Sequence, residues 1–262
     1  MRHALHAEWT KLRTLPSNVW LTLATVVLTV AASVAATVTV DTSNCPSPAE
    51  CFEDTVKLSL TGVWLGQVAV VVLAVGMIGG EYGTGLIRLT LAAQPRRHTV
   101  LLAKAAVLTG IVCAAGALGV LGALGAGRIF LPGNGFSAAN GYPPLSLSDP
   151  ATLRAAVGTV LYLVLVGLLA LGVAVAVRET AAAVTTVLAL LFVTPVVTGL
   201  VTDPDWHDRL DKLTPTNAGL AIQATTRLAH LPIAPWAGLG VLAAWSAAAL
   251  LLGGTLLSTR DQ

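Results

Sequence analysis

Long apolar stretches separated by short polar segments dominate this sequence. Six of them run for about 20 to 25 residues, which is enough for a helix rising 1.5 Å per residue to cross a hydrocarbon core of roughly 30 Å. They cover about residues 18–40, 58–80, 104–127, 153–177, 181–201 and 236–257. The pattern predicts an all-α polytopic membrane protein. We expect residues 1–262 to form a single membrane domain, because no polar segment is long enough to build its own core.

Residues 1–17 precede the first apolar stretch and have the pattern of an amphipathic helix. Apolar side chains at helical spacing form one face: Leu5, Trp9 and Leu12. Basic side chains lie off that face: Arg2, Lys11 and Arg13. We expect an interfacial helix that lies on the membrane, with Trp9 at headgroup depth, and that ends at Pro16. The alternative is the start of a signal peptide, but the apolar stretch that follows is longer than a cleaved one and suits a spanning helix.

The segment between the second and third stretches is the most strongly patterned polar part of the chain. It reads EYGTGLIRLTLAAQPRRHTVLLAK over Glu81–Lys104. Apolar residues recur within it at helical spacing: Tyr82, Leu86, Leu89 and Ala93. Glu81 and Arg88 share a different face. A short amphipathic helix with a basic exit suits a position on the membrane surface or against a soluble partner. The alternative is a solvated loop whose positive charge only orients the protein.

Composition supports the membrane assignment and limits the function classes. The chain is 55% hydrophobic and 11% charged, whereas a soluble domain carries roughly 25% charged residues. Its net charge of +2 is too small and too dispersed to indicate nucleic-acid binding. Nine of the 15 Lys and Arg residues fall on the side of the termini and of the Glu81–Lys104 segment, against six on the other side. The positive-inside rule therefore predicts that both termini and this segment are cytoplasmic.

Two of the three cysteines lie in the first segment predicted to be outside. Cys45 and Cys51 flank two prolines and are candidates for a disulfide that closes a small loop in an oxidising compartment. The alternative is a pair of free thiols. Cys113 lies inside the third apolar stretch, and we expect it to be a small apolar filler.

Missing motifs argue against several chemistries. No GxxxxGK[ST] occurs, so this chain has no P-loop for ATP phosphates, and no GxSxG occurs around the serines of the apolar stretches. No charged residue or histidine lies near the middle of a predicted span, which argues against a carrier driven by protons or sodium. We expect no catalytic residue and no metal site. Gln67 is the most central amide, and we expect it to make an interhelical hydrogen bond, the alternative being a pore-lining role.

The last segment predicted to be outside contains two helix starts. An Asp-Pro pair at 203–204 and a Thr-Pro pair at 214–215 can start helices over about 204–213 and 215–229. Two short helices between the fifth and sixth spans would form an outer gate or a re-entrant element. The Asp-Pro pair at 149–150 likewise predicts the start of the fourth span.

Three of these segments resemble the permease subunits of ATP-binding cassette exporters of the type-2 class. They are EWTKLRT at Glu8–Thr14, the Glu81–Lys104 segment, and LTPTNAG at Leu213–Gly219. With the six-span layout, they are similar to the actinobacterial branch associated with the export of drugs, antibiotics and peptides. The resemblance implies that residues 1–17 are a connecting helix on the inner leaflet. It also implies that Glu81–Arg97 contains a coupling helix that docks on an ATPase.

The resemblance implies roles for single residues of the coupling segment. The apolar ones would contact the ATPase or the membrane face, and Glu81 and Arg88 would fix the orientation of the helix by charge-assisted hydrogen bonds. Gly83 and Gly85 would let the chain turn out of the second span, and Arg96 and Arg97 would hold the exit at anionic headgroups. The residues assigned to coupling are Glu81, Tyr82, Gly85, Leu86, Arg88, Leu89, Arg96 and Arg97.

The same resemblance implies an assembly in the bacterial plasma membrane. ATP and Mg²⁺ would bind a separate ATPase subunit, so this chain would hold no cofactor and would not itself be an enzyme. A second copy, or a sister permease, would complete twelve spans in the lipid bilayer. A hydrophobic or amphipathic substrate (a drug, antibiotic, peptide or lipid) would leave the cell between the two halves by alternating access. The alternative is a membrane protein without transport activity, either a structural or regulatory subunit or a membrane enzyme.

Overall fold

The computed structural model describes residues 2–42, 53–83 and 97–259. Within these ranges the chain is helical and has no strand, and six stretches are long and apolar enough to cross a membrane. This confirms the predicted all-α polytopic class. The first four spans are α2 (Pro16–Thr39), α4 (Val63–Gly83), α5 (Arg97–Phe130) and α6 (Pro150–Val177). Helices α7 (Thr180–Leu188) and α8 (Thr194–Leu200) together form the fifth span, and α11 (Pro235–Thr259) is the sixth. The shorter helices are α1 (Arg2–Thr14), α3 (Thr55–Ser59), α9 (Pro204–Leu213) and α10 (Pro215–Leu220).

Capping carboxylates fix where several of these helices begin. Asp149 accepts a hydrogen bond from the Thr152 backbone N–H at 2.9 Å, with Pro150 as the first helical residue, as the sequence predicted. Glu179 caps α7, immediately after Arg178 ends α6 with a φ of 64°. The connection between the fourth and fifth spans is therefore very short, and the two helices pack side by side as antiparallel neighbours.

The third span begins about two turns earlier than the hydropathy predicted. Helix α5 starts at Arg97, whereas the apolar stretch starts at about residue 104. The polar turn continues the helix because no glycine or proline follows Pro95 until well inside the span. Lys104 is consequently inside the helix, with a turn of backbone on each side, rather than at its end.

The fifth span was predicted over about residues 181–201, and the structure has a candidate span at Thr180–Leu200 that contains a π-helical turn. Helix α7 ends at Leu188, a π-helical turn covers Ala189–Val193, and α8 continues from Thr194. Pro195 has no N–H, so the carbonyl of Leu191 lacks the donor that a regular helix would provide. The Thr216 hydroxyl donates to this carbonyl at 2.9 Å instead. A side chain from α10 therefore supplies the hydrogen bond that the Leu191 carbonyl lacks within its own helix.

Helix α10 enters the bundle from the end opposite α1. Its start at Pro215 agrees with the prediction, but it ends at Leu220, well short of residue 229, and a 3₁₀ turn over Ala221–Gln223 follows it. Most of its residues are buried, and it packs against the fourth and sixth spans. A Cβ on Gly219 would lie 2.8 Å from the Tyr162 ring, so the helix approaches the fourth span closely. Helix α10 is thus packed into the bundle beside the fourth and sixth spans.

Candidate functional site

Helix α1 turns a charged residue toward the spans. Glu8 is 5% exposed, whereas Trp9 is 46% exposed and faces away from the protein. Leu5 packs at the edge of the main hydrophobic core, and Arg13 is exposed. The side chains of Leu12 and Arg2 lie outside the described part of the chain. Of the described residues of the predicted apolar stripe, Leu5 meets the core and Trp9 does not, and Glu8 is the most buried described side chain of α1.

Lys104 is the buried partner of Glu8. Its side chain is 0% exposed, and its Nζ donates to Glu8 Oε2 at 2.8 Å and to Glu81 Oε1 at 2.8 Å. A third hydrogen bond, of 3.1 Å, goes to the backbone oxygen of Met77. An ammonium group has three donors, so each N–H of Lys104 has an acceptor. One buried side chain of the third span thus joins α1 to the end of the second span.

Lys11 completes the group from a more exposed position. Its Nζ donates to Glu8 Oε1 at 3.0 Å and to Glu81 Oε1 at 2.8 Å. Partial burial lowers the pKa of Lys11, but the hydrogen bonds to Glu81 and Glu8 outweigh it and raise the pKa above its ordinary value. Lys11 is therefore charged at neutral pH. We call Glu8, Lys11, Glu81 and Lys104 the four-charge cluster.

The formal charges of the four-charge cluster sum to zero, which is the condition for burying ions at moderate cost. Removing one partner of a buried pair costs about 3–5 kcal/mol, because the remaining charge has neither water nor a counter-ion. Glu81 is the shared acceptor: its Oε1 receives both lysines, and its buried Oε2 has no hydrogen-bond partner within the described ranges. The cluster therefore fixes α1, the second span and the third span against one another.

This geometry gives Glu81 charge-assisted hydrogen bonds within its own chain. Its side chain is buried and accepts from Lys11 and Lys104. Glu81 therefore holds the end of the second span in position.

Tyr82 lies at the same end of the molecule, beside the turn between the fourth and fifth spans. The Arg178 guanidinium lies 5.7 Å from the centre of the Tyr82 ring, a cation–π distance. Arg178 also donates from Nη2 to the Leu256 backbone oxygen at 3.2 Å. Tyr82 is half-buried in this contact, which connects the ends of the second, fourth and sixth spans.

Several predicted residues cannot be placed. Arg97 begins α5, but its side chain is outside the described part. The remaining coupling residues and both disulfide candidates also lie outside it: Gly85, Leu86, Arg88, Leu89, Arg96, Cys45 and Cys51. The structure therefore locates the two ends of the coupling segment, at Glu81 and Lys104, and these ends meet in the four-charge cluster.

A second buried polar group joins the spans deeper in the bundle. The Tyr162 hydroxyl of the fourth span donates to Gln67 Oε1 of the second span at 2.6 Å, and both side chains are fully buried. This confirms the interhelical hydrogen bond predicted for Gln67. Tyr162 has no charged neighbour in this contact, so it serves to hold helices together rather than to form an ion path.

Sequence reasoning noted Glu8, Lys11 and Lys104 without recognising their contact. The available signal was the lysine next to an apolar stretch, because an ammonium group close to hydrocarbon requires a carboxylate. Among the described residues, no group of His, Cys, Asp and Glu could hold a metal ion. A scan against protein-family models finds no match for this chain, and a search of curated proteins finds no matching relative.

Proposed function

We propose that this chain is the membrane-spanning permease subunit of an ATP-driven exporter of the ATP-binding cassette type. A separate ATPase subunit would bind ATP and Mg²⁺. The observation that supports this most is the position of the four-charge cluster around the segment 84–96. Glu81 lies three residues before this segment and Lys104 eight residues after it, and both are bonded to each other and to α1.

A coupling element must transmit the movement of a soluble ATPase to the spans, so it must be attached to them rigidly. A segment whose two attachments are joined by buried, charge-assisted hydrogen bonds meets this requirement, because its displacement moves both spans and α1 together. A simple solvated connector needs no such joint. Under this proposal, the end that carries the cluster is cytoplasmic, and both termini lie on that side of a bacterial plasma membrane.

An apolar groove between the spans supports the proposed substrate class. It has a volume of about 670 Å³ and lies between the fourth, fifth and sixth spans, with no charged residue in its lining. The fifth span contributes Leu190 and Val193 of its π-helical turn, and Val197 after it, to one wall. A surface of this kind favours a hydrophobic or amphipathic substrate over an ion or a sugar.

Purification from native membranes tests the proposal. A tagged chain should bring down a P-loop ATPase in equal amount, together with a second permease copy or a sister permease. Arg88→Glu and Lys212→Glu, at the opposite end, should both keep these partners, so that the effect of Arg88→Glu on coupling can be measured in an assembled complex. Recovery of the chain with no ATPase would favour a membrane protein without transport activity and would overturn the proposal.

A further inference from the structure

The end of the molecule opposite the four-charge cluster is held together by one carboxylate. Asp54 accepts hydrogen bonds from the backbone N–H groups of Val56 and Lys57, each at 3.1 Å, and so caps α3. It also accepts from the Thr225 hydroxyl at 2.7 Å and from the Thr226 backbone N–H at 3.1 Å. Asp54 therefore fixes α3 against the chain that leaves α10, 171 residues away in sequence.

This attachment brings Lys57 and Gln223 to one pocket. The pocket has a volume of about 250 Å³, and Lys57 also borders a neighbouring pocket of about 400 Å³. Lys57 is exposed and forms no ion pair with any described residue, although acidic side chains line both pockets. Its ammonium group is therefore available to a ligand.

Gln223 supplies a second unused donor from the wall of the 250 Å³ pocket. The side chain is 3% exposed, and its amide makes no hydrogen bond within the described ranges, with Nε2 buried. Buried amide N–H groups in folded proteins are usually hydrogen-bonded to protein or water, so Gln223 Nε2 is a position where a ligand oxygen can accept a hydrogen bond. Because it costs free energy to leave such a donor unpaired, a ligand oxygen there would be favoured.

The acidic side chain in this pocket already has partners. Asp211 Oδ1 accepts from Asn217 Nδ2 at 2.6 Å, and Asp211 Oδ2 lies 3.5 Å from His207 Nε2. Lys57 Nζ and Gln223 Nε2 are donors for which no described residue is an acceptor. Apolar side chains complete the wall: Trp64, Leu220, Leu231, Pro232 and Ile233.

We propose that Lys57 and Gln223 form a binding site for an anionic oxygen group, a phosphate or carboxylate, at the end opposite the four-charge cluster. The ammonium group neutralises the ligand charge, and the Gln223 amide gives it a directional hydrogen bond. The apolar wall suits an alkyl chain or another apolar body next to the anion. Asp54 is the positioning residue, since it holds both parts of the site. The site does not depend on the proposed transport function.

Isothermal titration of the full chain in nonionic detergent micelles tests the site with two probes. Inorganic phosphate represents a free anion. Hexyl phosphate represents an amphiphile, with a phosphate headgroup and an alkyl chain. The variants are Lys57→Gln and Gln223→Met. Lys212→Gln is the matched control, because it removes the same charge at the same end and lines neither pocket. Each variant is first compared with wild type by its thermal midpoint.

Saturable binding of at least one probe is expected, weakened about tenfold or more in each site variant and less than about twofold in the control. Tighter binding of hexyl phosphate than of phosphate would identify an amphiphile as the ligand, and equal binding a free anion. The absence of saturable binding of both probes would overturn the site. Equal weakening in Lys57→Gln and Lys212→Gln would overturn it as well. If Gln223→Met fails to fold, Lys57→Gln decides alone, because Lys57 is exposed.

Discussion

Replacing Lys104 with methionine tests the four-charge cluster most sharply. Methionine is unbranched and of similar length, so the change removes the ammonium group and its three hydrogen bonds while largely keeping the packing. Glu8 and Glu81 would then share only Lys11, and the cluster would carry a net charge of −1. Because Lys104 is 0% exposed, water cannot take its place without opening the helices.

The expected loss follows from this burial. Breaking a buried ion pair costs about 3–5 kcal/mol. At roughly 2–4 °C per kcal/mol, Lys104→Met should lower the thermal midpoint by roughly 6–20 °C. Lys11→Met should cost much less, because this side chain is 42% exposed and water screens its charge. The double change Lys104→Met with Glu81→Gln leaves the neutral pair of Glu8 and Lys11, and should recover most of the loss.

Thermal unfolding of the purified protein in detergent, followed by intrinsic fluorescence, measures these differences. Lys212→Met is the surface control, and its midpoint should stay within about 2 °C of wild type, since surface changes are usually worth less than about 0.5 kcal/mol. Lys104→Met melting as high as this control would refute the reasoning. So would a double variant that melts below the single variant, since the loss would then not come from an unpaired charge.

Three further predictions concern other parts of the chain. Thr216→Val should cost about 1–3 kcal/mol, because the Leu191 carbonyl at the break loses its donor, whereas Thr39→Val at an exposed helix end should be nearly neutral in the same melting assay. The stability difference between wild type and Lys11→Met should be constant from pH 6 to about 9. It should close as the pH rises past about 10.5, since a raised pKa in the folded state gives stability that is lost on deprotonation. Cys45 and Cys51, if bridged, should react with an impermeant thiol reagent on intact cells only after reduction, and labelling without reductant would exclude the bridge.

The six spans could be predicted from sequence because hydrocarbon thickness sets a length that the apolar stretches reproduce. The cap at Asp149 and the start of α10 at Pro215 could also be predicted, since both depend on neighbouring residues. The π-helical turn in the fifth span could be predicted only in part. Pro195 indicates a disturbed helix, but Thr216, which donates to the free Leu191 carbonyl, lies on another helix. The residues around Pro195 in the sequence do not show which side chain of another helix reaches the Leu191 carbonyl.

The four-charge cluster could not be predicted for the same reason. Glu8 and Lys104 are 96 residues apart, and the amphipathic pattern of residues 1–17 predicts only that Leu5 and Trp9 share an apolar face. Burial of Glu8 is decided by the lysine it meets, which is a property of packing between helices. The start of the third span also mattered, because the helix begins at Arg97 and so places Lys104 inside the bundle.

ATP hydrolysis in proteoliposomes that contain this chain and the ATPase that copurifies with it tests whether the segment 84–96 couples the spans to an ATPase, as proposed. Glu81→Lys is unsuitable, because it would bury a third ammonium group in the four-charge cluster. Arg88→Glu changes the coupling segment outside that cluster, and Lys212→Glu is the control. The account predicts that the Arg88→Glu complex assembles but loses substrate-stimulated hydrolysis, while the control keeps it. An assembled Arg88→Glu complex that is stimulated like wild type would contradict the claim that this segment couples the spans to the ATPase.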